Sequence, residues 1–198
     1  MKKLIWFTTV TVIFLIFIAP AVLALGIKLI PGGDQPGYSQ TLSIYGFRNV
    51  TQTFTSQDAN LTAIGTSIKN PNLKNKKDII LNLFDDKMNL IRTSVINGQN
   101  VEDGSFVKFV FDTIPDSENK VYVFTLSSPG AGPEDLIEVF LSQNPPSWIN
   151  QYHYDKDTYP GGLPIVLYFK PLSKIMIIRS IYSSLFSRLL PQNFHKSS

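Results

Sequence analysis

Between Lys3 and Lys28 this chain carries no charge: Leu4 to Ile27 is one uncharged, largely apolar run. Crossing the hydrocarbon core of a bilayer takes about 20 such residues. The run therefore needs an apolar surrounding, and a membrane fits its length. Lys2-Lys3, the stretch Leu4 to Ile18, and then Ala19-Pro20-Ala21 or Val22-Leu23-Ala24 also match the basic start, apolar centre and small-residue site of a cleaved secretory signal. The apolar run continues past both sites to Ile27, which favours an uncleaved anchor over residues 1–27. Pro20 falls near the far end of the expected helix, where its missing N–H does little damage. Under either reading the lysines place the N-terminus in the cytoplasm. The expected location is a cell membrane, single-pass, with the folded domain on the extracytoplasmic side.

About 170 residues remain beyond the anchor, enough for one domain with a proper core. There is no cysteine, which excludes thiolate metal sites, a Cys nucleophile and thiol redox chemistry. The net charge is +3, and part of the excess sits at the two ends: Lys2 and Lys3, then Lys170, Lys174, Arg179, Arg188 and Lys196. No basic stripe with interleaved aromatics runs through the middle, so nucleic acid is not an expected partner, whereas a membrane is.

Residues 28–41 read as a linker, because Pro31-Gly32-Gly33-Asp34-Gln35-Pro36-Gly37 is a cluster of turn formers. Residues 42–170 read as the domain. Ile79, Leu81 and Leu83 share one face; so do Val107, Phe109 and Phe111, and Ile137, Val139 and Leu141. Lys120 to Leu126 is β-branched and aromatic. Further strands are expected at Thr41–Phe47, Thr51–Thr55, Leu61–Lys69 and Leu90–Ile96. Short period-two runs bounded by turn residues point to a mainly β, antiparallel β-sandwich. Residues 143–162 break the alternation and read as a long aromatic loop, with a last strand at Leu163–Lys170. Residues 171–190 read as an amphipathic helix, lying on the bilayer or covering the sandwich, since Arg179 at its middle disfavours a span. Residues 191–198 read as a disordered tail.

The stretch from Val50 to Ser128 resembles a known type of module. The residues that carry this are Gln52-Thr53-Phe54, Asn60-Leu61 with Ile64, the strand Ile79–Asp85, Phe109-Val110-Phe111, Asp116-Ser117 followed by Lys120-Val121-Tyr122-Val123-Phe124, and Leu126-Ser127-Ser128-Pro129. They resemble the extracytoplasmic, galactose-binding-like jelly-roll module of uncharacterised bacterial membrane proteins. The resemblance implies a jelly-roll-like sandwich. It brings no catalytic residues and fixes no ligand.

Enzymatic motifs are scarce: the chain has no Walker loop, no Gly-x-Ser-x-Gly elbow and no His-Glu-x-x-His. The adjacent acids Asp85-Asp86, Glu102-Asp103 and Glu134-Asp135 all fall in expected turns and read as solvated. Turn acids leave room for a structural Ca²⁺, a hard cation that takes clustered oxygens, but no ligand set follows from their spacing. No other cofactor is expected. The candidate ligand-binding residues are Trp148, Tyr152, Tyr154 and Tyr159, with Asn150 and Asp155 between them. Flat rings with a polar edge accept the C–H faces of sugars while amides and carboxylates bond hydroxyls. Long ordered loops also pack their own side chains, so the competing and favoured reading of these rings is that they fold back to cap the sandwich. The expectation is a non-catalytic binding module, with cell-surface glycans as the candidate ligand class. The alternative is a structural or protein–protein subunit of an envelope complex.

Overall fold

A computed structural model of the chain describes residues 2–33, 35, 37, 40–142, 144–155 and 157–189. The elements in order are α1 (Lys2–Ile13), a π-helical turn (Phe14–Ile18), α2 (Ala19–Gly26), β1 (Ile30–Pro31), β2 (Gln40–Ile44), β3 (Val50–Thr55), β4 (Leu61–Lys69), β5 (Asp78–Phe84), β6 (Leu90–Asn97), β7 (Ser105–Ile114), β8 (Val121–Ser127), β9 (Ile137–Leu141), β10 (Ile149–Tyr154), β11 (Asp157–Pro160), β12 (Val166–Phe169) and α3 (Lys174–Leu189), with two short 3-10 turns. They form two compact units: Pro31–Phe169, and Met1–Ile30 with Lys170–Ser198. The expected tail, 191–198, lies outside the described residues.

The β unit is mainly two antiparallel sheets, a sandwich-like arrangement. One sheet runs β1-β12-β4-β9-β2 with β7 paired to β4, and the other runs β11-β10-β3-β8-β5-β6. The chain changes sheet at every connection from β2 onward except the β5–β6 and β10–β11 hairpins. The expected faces turn inward. Ile79, Leu81 and Leu83 are fully buried, as are Phe54, Phe109, Phe124 and Leu126. Each such side chain contributes about 1.5–3 kcal/mol of burial.

Strand β4 is covered on both faces. Ile64, Thr66 and Ile68 alternate along one of them and are wholly buried. On the other, Gly65 leaves a slot for the rings of Phe106 and Tyr168. A Cβ there would come 2.4 Å from Phe106 Cζ and 3.0 Å from Tyr168 Cε2. Two asparagines replace hydrophobic packing at one end of the sandwich. Buried Asn70 donates through Nδ2 to the carbonyls of Asn75, Gly98 and Val101 at 3.0, 3.0 and 3.2 Å, and its Oδ1 accepts from Asn75 N at 2.9 Å. Asn75 in turn donates to Asp135 O at 2.7 Å. Loop carbonyls that would otherwise be buried without partners are satisfied this way.

Two segments differ from the sequence reading. The turn-rich stretch 28–41 is not a free linker: Ile30–Pro31 forms β1, Gly32 N donates to Leu167 O at 2.8 Å, and Gln35 Nε2 reaches Ser67 Oγ at 2.6 Å. The segment 143–162 is not a long loop, because β10 and β11 form a hairpin within it, and β10 pairs with β3. A register shift between Ile149 and Tyr152 hides the strand from a period-two reading. Residues three apart should face opposite ways, yet a bulge there turns both into the core.

In the other unit, the helix from Lys2 to Gly26 is 25 residues long, about 37 Å at the usual rise, and among the described residues it is the one helix long and apolar enough to cross a membrane. Segment α3 runs antiparallel to it. Lys174 Nζ donates to Ala24 O, Leu25 O and Ile27 O at 3.1, 3.3 and 3.0 Å, while the Tyr182 hydroxyl donates to Ile16 O. Both contacts meet a need of the first helix. The last carbonyls of a helix have no partner of their own. Pro20 has no N–H to give back to the π-helical turn before it, and the Tyr182 bond reaches a carbonyl of that turn. Helical periodicity alone does not identify this partner for α3.

Candidate functional site

The hairpin β10–β11 places the expected aromatic residues, and its register decides which meet. Tyr152 pairs with Tyr159, and Tyr154 with Asp157. Tyr152 is buried, and Tyr159 stacks on it with ring centroids 5.3 Å apart and planes 20° from parallel. Burial pushes the Tyr152 hydroxyl pKa up. Tyr154 is half-buried against the core and donates to Ser43 O at 2.7 Å. Its pKa is raised by burial, with the neighbouring Arg48 acting in the opposite direction.

Trp148 does not join these rings. It sits half-buried on the core, one residue before β10, and lines a crevice of about 10 Å³ with Gly32, Gln57 and Leu167. That volume holds about one water molecule. At strand rise, Trp148 and Tyr154 are roughly 20 Å apart along β10. The four rings therefore divide between the two ends of one strand, and they line no common groove. The backbone of Asn150 belongs to β10, but its side chain lies outside the described residues.

Asp155 begins the hairpin turn with a φ of 56° and reaches Arg48, with Arg48 Nε 3.5 Å from Asp155 Oδ2. The Arg48 guanidinium lies 5.5 Å from the Tyr45 ring centroid and 6.0 Å from that of Tyr154. This is cation–π range. Tyr154 first, then Tyr45 and Asp155, hold the Arg48 pKa above its ordinary value. Arg48 belongs to the turn between β2 and β3, closed by a hydrogen bond from Arg48 N to Tyr45 O at 2.8 Å. Gly46 takes a φ of 52° in that turn, and Phe47 stands fully exposed at its tip, at 101% of its reference area. Tyr45, Phe47 and Arg48 were not expected from the sequence. The signal available was a glycine between two aromatics, the pattern of a tight turn that forces its neighbours outward.

The adjacent acids are turn residues. Asp85 Oδ1 accepts from Lys87 N and Asn89 N at 3.0 and 2.8 Å, and Oδ2 accepts from Asn89 Nδ2 at 2.9 Å. The Asn89 side-chain bond is the main cause of a carboxyl pKa below its ordinary value. His153 Nδ1 is 2.7 Å from Thr158 Oγ1 across the hairpin. Among the described residues no three His, Asp or Glu side chains gather as a metal site would need. No protein-family model matches this chain, and no curated protein matches it.

Proposed function

We propose that the chain is a membrane-anchored, non-catalytic binding module. The helical unit holds it in the bilayer, and the β-sandwich presents a contact surface on the extracytoplasmic side. The observation that carries the anchoring is the pairing of α3 with the N-terminal helix. In hydrocarbon every backbone polar group needs a protein partner. Lys174 supplies a partner to the carbonyls at the end of the first helix, and Tyr182 to a carbonyl of the π-helical turn before Pro20. Arg179 lies five residues past Lys174, about 7–8 Å along the helix, within reach of the interface for an extended side chain. The anchor is then a helical hairpin, with α3 inserted beside the first helix.

The contact surface we assign is the pair of turns carrying Tyr45, Phe47, Arg48, Tyr154 and Asp155, with Tyr159 beside them on β11. Exposed rings next to a charged pair suit a sugar, with C–H faces on the rings and hydroxyls on Arg48 and Asp155. A second reading is docking to an envelope protein, favoured by the full exposure of Phe47. Binding of the detergent-solubilised full chain to cell-surface and cell-wall polysaccharides tests the first. Saturable binding lost in Tyr159→Ala and Arg48→Ala, with an unchanged melting temperature, supports a glycan module. No glycan binding, together with a Phe47-dependent cross-link to an envelope protein, supports docking. Binding that survives all three substitutions removes this surface from consideration.

A further inference from the structure

Charge in this chain is segregated by unit. Residues 1–30 and 170–198 contain eight of its 18 basic residues and none of its 15 acidic ones. Three of those eight meet in one place. Lys28, Lys170 and Lys174 line a cavity of about 340 Å³ whose remaining walls are Ile27, Pro171, Leu172 and Ser173. It opens where the membrane-length helix ends and α3 begins. Leu172 is 76% exposed at this level, and the walls are mostly apolar.

The three lysines differ in what they have left to offer. Lys174 gives three hydrogen bonds to the carbonyls closing α2, so it contributes charge but no spare proton. Lys28 and Lys170 are exposed and form no ion pair among the described residues. An oxyanion placed between them meets two free ammonium groups and a third fixed charge. Apolar walls below would accept the first carbons of an acyl chain.

We propose that this cavity binds the phosphate headgroup of an anionic phospholipid. The proposal rests on the membrane reading above, since it puts the cavity at headgroup level. A zwitterionic headgroup carries its own cation into the same space and is disfavoured by the lysines. Each lysine near a charged membrane surface is worth about a fivefold preference.

The test uses the full-length chain reconstituted in vesicles of phosphatidylcholine mixed with phosphatidylglycerol. Alkaline extraction first establishes integration; a chain that washes off overturns the anchor and the site together. For the integrated chain, the two lipids that remain bound after detergent extraction are counted. The wild type should retain phosphatidylglycerol over phosphatidylcholine, and Lys28→Gln with Lys170→Gln should remove most of that preference, about 25-fold for two charges. Circular dichroism of the double variant checks that the fold is intact. Equal retention of both lipids by the wild type, or undiminished selectivity in the folded double variant, overturns the site while leaving the anchor standing. Displacement of the lipid by equimolar inorganic phosphate would make it a free-anion site and overturn the lipid assignment.

Discussion

Replacing Thr66 by Val should stabilise this protein, against the usual direction of core substitutions. Thr66 is completely buried on β4, on the same face as Ile64 and Ile68. Its Oγ1 is the one buried side-chain polar atom without a hydrogen-bond partner among the described residues. A hydroxyl taken out of water without a partner costs about 1–3 kcal/mol on protein mutational scales. Val has the same branched shape, so the replacement opens no cavity, and the added methyl is buried at about 0.8 kcal/mol. The net expectation is about 2–4 kcal/mol of added stability, or roughly 4–16 °C in melting temperature for a chain of this size. Thermal unfolding of the detergent-solubilised full chain, followed by far-ultraviolet circular dichroism, measures it. Thr66→Ala should fall below the wild type, because it deletes packing as well as the hydroxyl. A Thr66→Val protein less stable than the wild type would refute the reasoning and show that Oγ1 is bonded in solution, for example to a buried water.

Asn70→Ala should cost about 3 kcal/mol, since the two Nδ2 protons are shared among three carbonyls and Oδ1 accepts one further bond, and should be read as a fall in melting temperature; a loss below about 1 kcal/mol would show that water replaces the amide. For Asp85 the folded pKa is lowered, so its stabilisation is present above the unfolded pKa and is lost as pH falls through the folded one. The melting-temperature gap between the wild type and Asp85→Ala should therefore be open at neutral pH and close in acid below about pH 4, the ordinary carboxylate range. Tyr182→Phe should destabilise the helical hairpin by about 0.6–2 kcal/mol in mild denaturing detergent, and the loss should shrink when Pro20→Ala restores the missing N–H. A loss of equal size in both backgrounds would separate the tyrosine from the proline.

Most strands could be read directly from alternation. Leu61–Lys69 is β4 as read, and the run expected at Leu90–Ile96 is β6, one residue longer. The inward faces of β5, β7 and β9 followed from period two because the other face of each strand is less buried, fully exposed along most of β7 and half-buried in β5 and β9. Alternation failed at β10, where the bulge before Tyr152 resets the phase and Pro145-Pro146 and Pro160-Gly161 frame the strands as a loop would be framed. The candidate site was legible only in part. Tyr152, Tyr154, Tyr159 and Asp155 do share one hairpin, but Trp148 went to the core, and Arg48 comes from a turn about a hundred residues earlier. Pairings that join distant segments through single side chains leave no periodic trace. The same holds for Lys174, whose role depends on carbonyls that no local pattern reveals.

The α3 contacts also impose an order in time. Lys174 bonds to Ala24 O across 150 positions, and Tyr182 to Ile16 O across 166. A ribosome finishes the first helix long before it makes the groups that complete it. Between those moments the whole sandwich must emerge, and it cannot close early, since β12 pairs with β4 and β9 with β2. Such distant pairings form slowly. Through that interval the carbonyls of Ile16 and Ala24 wait without their final partners. A nascent chain stopped before Lys174 would hold every described strand and still lack the partners of the first helix, which makes α3 the latch for that helix.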